Sequence, residues 1–126
     1  MIKQIPSGEI KNYIKNNPKS VLLDVRTDQE WVRDGKPDGD SIGIKNYFLT
    51  ITHDMQSLNK NFMVEFNNLK IDKDIQILTI CRTGMRSQAA AELLSREGYK
   101  CSNISDGFMG NGQDKIGWKN NQLPIK

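Results

Sequence analysis

The sequence predicts an α/β fold, a mostly parallel central sheet with helices on both faces. Two short apolar runs, Val21-Leu22-Leu23-Asp24-Val25 and Ile77-Leu78-Thr79-Ile80, have the near-continuous hydrophobic character of strands covered on both sides. Segments with apolar residues at three- and four-residue steps alternate with them. Turns bearing glycine or proline punctuate the alternation. With 126 residues the chain is read as one domain, 1–126, long enough to bury a core without disulfides or metals.

In order, Ile2 and Ile5 suit a short edge strand that Pro6 stops, and Ser7 is placed to cap a helix whose apolar face is Ile10, Tyr13 and Ile14. Asn16-Asn17-Pro18 ends that helix, because a residue before proline is pushed out of helical geometry. The strand Val21–Val25 follows. Thr27-Asp28-Gln29-Glu30 then has the form of a capping box opening a short helix through Trp31 and Val32. Gly35 to Asp40 is turn chemistry, and Ser41 to Ile44 is expected as a short strand. Met55, Leu58, Phe62, Phe66 and Leu69 fall on one face of an amphipathic helix. Its leading end, Tyr47 to Met55, is a candidate wall beside the site. A polar turn from Lys70 to Asp74 returns the chain to the second apolar run. Beyond it, Ala89, Ala90, Leu93 and Leu94 are expected to pack a helix on the sheet, with Gly98 as its stop. Tyr99 to Ile104 reads as a strand. Trp118 is expected to anchor the tail, and Phe108 to do the same or line a pocket mouth.

The chemistry concentrates where the second run ends. Cys81-Arg82-Thr83-Gly84-Met85-Arg86-Ser87 joins a strand to a helix start. A helix N-terminus leaves backbone N–H groups without intrahelical partners and carries partial positive charge. A loop curling from Cys81 to Arg86 aims those donors at the sulfur, an anion cradle with a thiol at its floor. Such an electropositive, partly exposed place favours the thiolate, which is the nucleophilic form. Gly84 lets the loop bend through a left-handed conformation.

At these residues the chain resembles the rhodanese-like sulfurtransferases, whose active-site loop begins with a cysteine and runs through an Arg- and Gly-containing turn into a helix. Leu22-Leu23-Asp24-Val25-Arg26 with Glu30-Trp31 matches a second family element. Gly35-Lys36-Pro37-Asp38 replaces the Gly-His-Ile-Pro-Gly-Ala of many members and is similar to a branch of small bacterial single-domain rhodaneses. Asp106-Gly107-Phe108-Met109-Gly110, Trp118 and Leu123-Pro124 resemble that branch as well, with Met109 in place of its glutamate.

The resemblance implies covalent sulfur transfer. Cys81 takes the outer sulfur of a small anionic donor such as thiosulfate as a persulfide and passes it to cyanide or a thiol. It implies a cradle of N–H groups from Arg82, Thr83, Gly84, Met85, Arg86 and Ser87. Arg86 is assigned the oxyanion end of the donor, Arg82 steers it, and the Ser87 hydroxyl donates to the sulfur. Asp24 and Arg26 are expected to brace the loop, or to form a structural ion pair with Glu30 or another acid.

Two other functions use the same residues. A relay module would receive sulfur from a partner protein instead of a small donor. A related cysteine phosphatase would need five residues between cysteine and arginine, whereas four separate Cys81 from Arg86, and Ser87 stands where the arginine would be. A silent interaction domain fits poorly with an intact cysteine and two arginines.

The remaining features exclude more than they add. A net charge of +3 spread over scattered lysines gives no basic stripe for nucleic acid. The start has no leader pattern and no run approaches membrane-spanning length, so a cytoplasmic protein is expected. Two cysteines do not make a disulfide scaffold. Cys101 is read as a packed strand cysteine, with a resolving thiol for Cys81 as the alternative. His53 is the only histidine, and no metal or cofactor is expected.

Overall fold

A computed structural model describes residues 1–53 and 57–126. Five strands form among the described residues: Lys3–Ile5 (β1), Ser20–Asp24 (β2), Lys45–Phe48 (β3), Gln76–Ile80 (β4) and Lys100–Ile104 (β5). They run parallel in the order β1-β5-β4-β2-β3. The α-helices are Ile10–Asn16 (α1), Asp28–Asp34 (α2), Phe62–Asn68 (α3) and Met85–Arg96 (α4).

Side-chain alternation along the two central strands explains the layers. Leu22, Leu78 and Ile80 face one side, where Ile10 and Ile14 of α1 join Phe108, Trp118 and Leu123. Leu23, Ile77 and Cys81 face the other, packed with Phe62 and Phe66 of α3 and Ala90 and Leu94 of α4. Both faces are covered, which is why the two runs read as almost unbroken hydrophobic sequence. Trp118 is fully buried and its Nε1–H donates to the Pro124 carbonyl at 2.8 Å, so it pins the tail to the domain as expected.

Several elements depart from the sequence reading, each for a local reason. Ser7 does not cap a helix; its N–H and hydroxyl both donate to the Asp106 carboxylate, at 2.8 and 2.6 Å, and a 3-10 turn Ser7–Glu9 precedes α1. A buried carboxylate that also takes the Gly117 N–H outcompetes the local cap. Ser41 to Ile44 is not a strand. Asp38 accepts from the Ser41 N–H and hydroxyl, closing a 3-10 turn over Gly39–Ile42, and Gly43 at φ +89° turns the chain into β3.

The amphipathic helix is shorter than its apolar spacing suggests, covering Phe62–Asn68 alone. Leu58 lies before it, paired with Thr52 in an isolated antiparallel bridge and 60% exposed. Met55 falls outside the described residues. In α4 the buried stripe is Ser87, Ala90, Ala91 and Leu94, the i, i+3, i+4, i+7 set, which leaves Ala89 exposed and Leu93 at the margin. Ser87 sets this phase because it turns inward to the cradle. Phe108 is in the core rather than at a pocket mouth, with the Arg26 guanidinium 4.2 Å above its ring.

Candidate active site

Cys81 follows directly on β4 and α4 begins four residues later, so the loop sits beyond the carboxyl end of a central strand. The carbonyls of its first four residues are all hydrogen-bonded. The Cys81 and Arg82 carbonyls accept from the N–H groups of Phe108 and Met109, at 2.8 and 2.9 Å, and Thr83 O accepts from Lys115 Nζ at 3.2 Å. Gly84 O accepts from Asn103 Nδ2 at 3.0 Å and from the Gln88 N–H at 3.2 Å. With these carbonyls engaged, the loop is held in a curl around the sulfur. Gly84 donates to Cys81 Sγ at 3.1 Å. Gly84 is the N-cap of α4 and makes no side-chain cap bond, so the donors of the first turn stay available to a ligand.

Two glycines permit this packing. Gly84 adopts φ +105°, and a Cβ there would strike the Ser105 carbonyl. At Gly107, φ +65°, a Cβ would lie 2.5 Å from the Arg82 carbonyl carbon and 2.7 Å from the Thr83 nitrogen. The turn that holds the loop is therefore pressed against it.

The sulfur itself is more enclosed than expected, at 1% exposure, because the loop closes over it. The Ser87 hydroxyl stands 3.2 Å from Sγ and 2.6 Å from Asn103 Oδ1. Asn103 gives its Nδ2 protons to Gly84 O and Gln4 Oε1, which leaves Oδ1 as acceptor for Ser87. Ser87 is thus within reach of the sulfur, but its one hydroxyl proton is directed to Asn103 Oδ1, the shorter contact, so Ser87 does not donate to the sulfur while that bond is made; Asn103 is a residue that the sequence reading missed. An asparagine in a strand run between Ser102 and Ile104 was the available signal.

Asp24 and Arg26 form a fully buried ion pair with each other, with Arg26 Nε and Nη2 on the carboxylate at 2.8 to 3.1 Å. Arg26 also donates to Gly35 O, and its carbonyl accepts from Thr50 Oγ1. This is the structural ion pair of the two expectations, with Asp24 as the acid. It secures the end of β2 and the turn beyond α2, and among the described residues neither side chain hydrogen-bonds to the cysteine loop.

Glu30 pairs instead with Arg86. The guanidinium sits bidentate on the carboxylate, Nη1 to Oε1 at 2.6 Å and Nη2 to Oε2 at 2.8 Å. Burial works against ionisation of Glu30, but the Arg86 hydrogen bonds and charge, with Thr27, outweigh it and hold the carboxyl below its ordinary range. The Glu30 hydrogen bonds and charge in turn raise Arg86, against its own partial burial. The capping box is formed as well, with the Thr27 N–H on Glu30 Oε1 and the Glu30 N–H on Thr27 Oγ1. Arg86 is therefore engaged by a carboxylate, and Arg82, exposed and with a guanidinium that makes no hydrogen bond or ion pair among the described residues, is the open cation.

Above the loop lies a cavity of about 600 Å³ lined by residues that include Thr27, Glu30, Thr52, Arg82, Thr83 and Arg86. Thr52 and His53 supply part of the wall expected from the segment after Tyr47. Met85, 77% exposed, stands at its rim. Cys101 does not approach. It pairs in register with Ile77, four residues before Cys81, or about 13 Å along the strand direction, beyond the reach of a disulfide. Burial pushes its thiol up to about 12.

Comparison with known proteins identifies the family and its fold. The Rhodanese-like domain family matches residues 7–112. The Rickettsia prowazekii protein RP600 is 43% identical over 98% of this chain and 97% of its own length. The Bacillus subtilis protein named "Putative sulfurtransferase YtwF" is 30% identical over 86% of this chain and 88% of its own length. The crystal structure of Rv0390 from M. tuberculosis superposes with a TM-score of 0.85 at 29% identity, covering 98% of this chain and 96% of that one. With the match running through both apolar strands and the cysteine loop that follows the second, the chain belongs to the rhodanese-like domain family.

Proposed function

We propose that the protein is a sulfurtransferase that carries sulfane sulfur as a persulfide on Cys81. The observation that supports this most is the cradle, a sulfur that already receives the Gly84 N–H with the Ser87 hydroxyl beside it, at the N-terminus of a twelve-residue helix. The Cys81 thiolate attacks the outer sulfur of thiosulfate; the donor S–S bond breaks and its electron pair leaves with sulfite. The enzyme persulfide is an anion, and inward N–H groups from Arg82 to Ser87 stabilise it. An acceptor then attacks the outer sulfur, cyanide leaving as thiocyanate or a thiol as its own persulfide, and the Cys81 thiolate is restored. Arg82 meets the oxyanion end of the donor, since among the described residues it is the cavity guanidinium without a fixed partner. The chemistry suits a reducing compartment such as the cytoplasm, in keeping with a structure in which no described helix is long and apolar enough to cross a membrane.

Loading by a partner protein is a second reading, favoured by two large apolar side chains exposed around the cavity. Val32 is 89% exposed beside Gln29 and Arg33, which also line the cavity, and Met85 stands at its rim. A thiocyanate assay with thiosulfate and cyanide tests the first reading. Turnover by the wild type and none by Cys81→Ser is expected; turnover of an aryl phosphate lost in the same variant would replace sulfur transfer by phosphatase chemistry. A thiosulfate-inert wild type that accepts sulfur from a persulfidated protein would select the relay.

A further inference from the structure

Among the described residues, carboxylates pair with two of the three guanidiniums around the cavity, and this pairing bears on the donor. Three guanidiniums line it, from Arg33, Arg82 and Arg86. Arg33 is held by Asp34 through its Nε and Nη2, at 2.9 to 3.2 Å. Arg86 is held in a parallel two-bond fork by Glu30. Among the described residues, Arg82 is the cavity guanidinium with no hydrogen-bonded carboxylate.

The Glu30–Arg86 pair is not free to open for an arriving anion. Glu30 Oε1 also accepts from the Thr27 N–H and hydroxyl, both at 3.2 Å, so a swing of the carboxylate would undo the N-cap of α2. Arg86 rises from the first turn of α4, whose phase Ser87 fixes. Burial of both side chains, 19% exposed for Arg86 and 10% for Glu30, limits solvent competition for the fork. A dianionic donor reaching Arg86 must compete with a carboxylate that is already in place.

Resting on the sulfur-transfer reading above, we propose that Glu30 is a specificity-determining residue. By holding Arg86 neutralised, it biases the site toward sulfur donors whose departing group carries one negative charge or none, and away from dianionic ones. Glu30 acts through Arg86 and takes no part in the bond changes. Persulfides and thiosulfonates are the donor classes this charge balance favours, since Cys81 taking their terminal sulfur releases a thiolate or a sulfinate.

The probes are thiosulfate and methanethiosulfonate, which differ by a methyl group in place of one charged oxygen. Attack on the first releases sulfite, a dianion, and on the second methanesulfinate, a monoanion. Both are assayed with cyanide on the wild type, Glu30→Gln and the double variant Glu30→Gln/Arg86→Gln. The glutamine amide oxygen still accepts from Thr27, so the cap of α2 is kept. Glu30→Gln should raise kcat/KM for thiosulfate roughly 10- to 100-fold, the size of one charge-assisted hydrogen bond, through KM. The constant for methanethiosulfonate should move much less. The double variant should lose the gain, because the guanidinium that produced it is gone.

A thiosulfate to methanethiosulfonate ratio that stays where it is in the wild type overturns the proposal while leaving sulfur transfer intact. The wild type also carries the test by itself, since its preference for methanethiosulfonate should exceed that of a simple thiolate in solution. Equal preference overturns the proposal even where Glu30→Gln does not fold. If the folded wild type takes sulfur from neither compound, sulfur transfer from small donors fails, and the assignment of Glu30 fails with it.

Discussion

Gly107→Ala should cost more than its place in an ordinary turn suggests, because Gly107 is where the tail presses on the cysteine loop. The residue sits at φ +65°, and its alanine Cβ would come within 2.5 Å of the Arg82 carbonyl carbon and 2.7 Å of the Thr83 nitrogen. Left-handed backbone costs an L-residue about 1–2 kcal/mol. Forcing backbone atoms apart in a packed region adds about 1–3 kcal/mol. The total is about 2–5 kcal/mol, a large share of the stability of a small domain. Gly112 supplies the control, at φ +78° with nothing within 4 Å of its Cβ position, so Gly112→Ala should pay the backbone cost alone. Urea unfolding of both variants, extrapolated linearly to water, reads the difference. Loading of Cys81 by thiosulfate reads the consequence for the loop, since the Arg82 carbonyl that would be displaced is the one that accepts from Met109. Gly107→Ala should load more slowly than Gly112→Ala. Equal stability of the two variants, with wild-type loading in Gly107→Ala, would refute the idea that this turn shapes the cradle.

Other expectations follow from the same contacts. Cys81→Ser should abolish sulfur transfer while Cys101→Ser keeps near-wild-type turnover, measured as thiocyanate formed, because Cys101 is half-buried on a distant part of β5 with its thiol pushed up to about 12. Trp118→Ala should destabilise the fold by about 3–5 kcal/mol, seen as a lowered thermal midpoint, since it empties a fully buried site and frees the tail. Glu30 lies below its ordinary value of 4.5 in the folded protein, so the stabilisation it gains is fully present above about that pH and is lost as pH falls through the lowered value. Acid unfolding of wild type and Glu30→Gln should therefore differ most above pH 4.5 and converge below it.

What sequence could reveal depended on the range of the interaction. Strands β2 and β4 were legible because both faces are buried, and α2 because Thr27 and Glu30 cap it within three residues of each other. The cradle was legible because strand, cysteine, glycine and helix start are contiguous. Strand β3 was not, since Lys45–Phe48 lies at a sheet edge with half-covered side chains and no apolar run. The helix before β4 was overextended because apolar spacing continues through Leu58, which an isolated bridge to Thr52 takes up instead. The largest change concerned Arg86. Its partner Glu30 is 56 residues away, and the parallel pairing of β2 with β4 sets the segments that follow them side by side and brings the two together. Asn103 was hidden for the same reason, as its four partners Gln4, Thr79, Gly84 and Ser87 come from separate parts of the chain.

The central claim is that Cys81 accepts and holds a sulfur atom. Intact mass spectrometry of the reduced protein, before and after thiosulfate or methanethiosulfonate, tests it on the wild type and Cys81→Ser. The account predicts a gain of one sulfur atom on the wild type, removed by cyanide, and none on Cys81→Ser. A folded wild type with a free Cys81 thiol that gains nothing from either donor, or a Cys81→Ser variant that gains as much as the wild type, would contradict it.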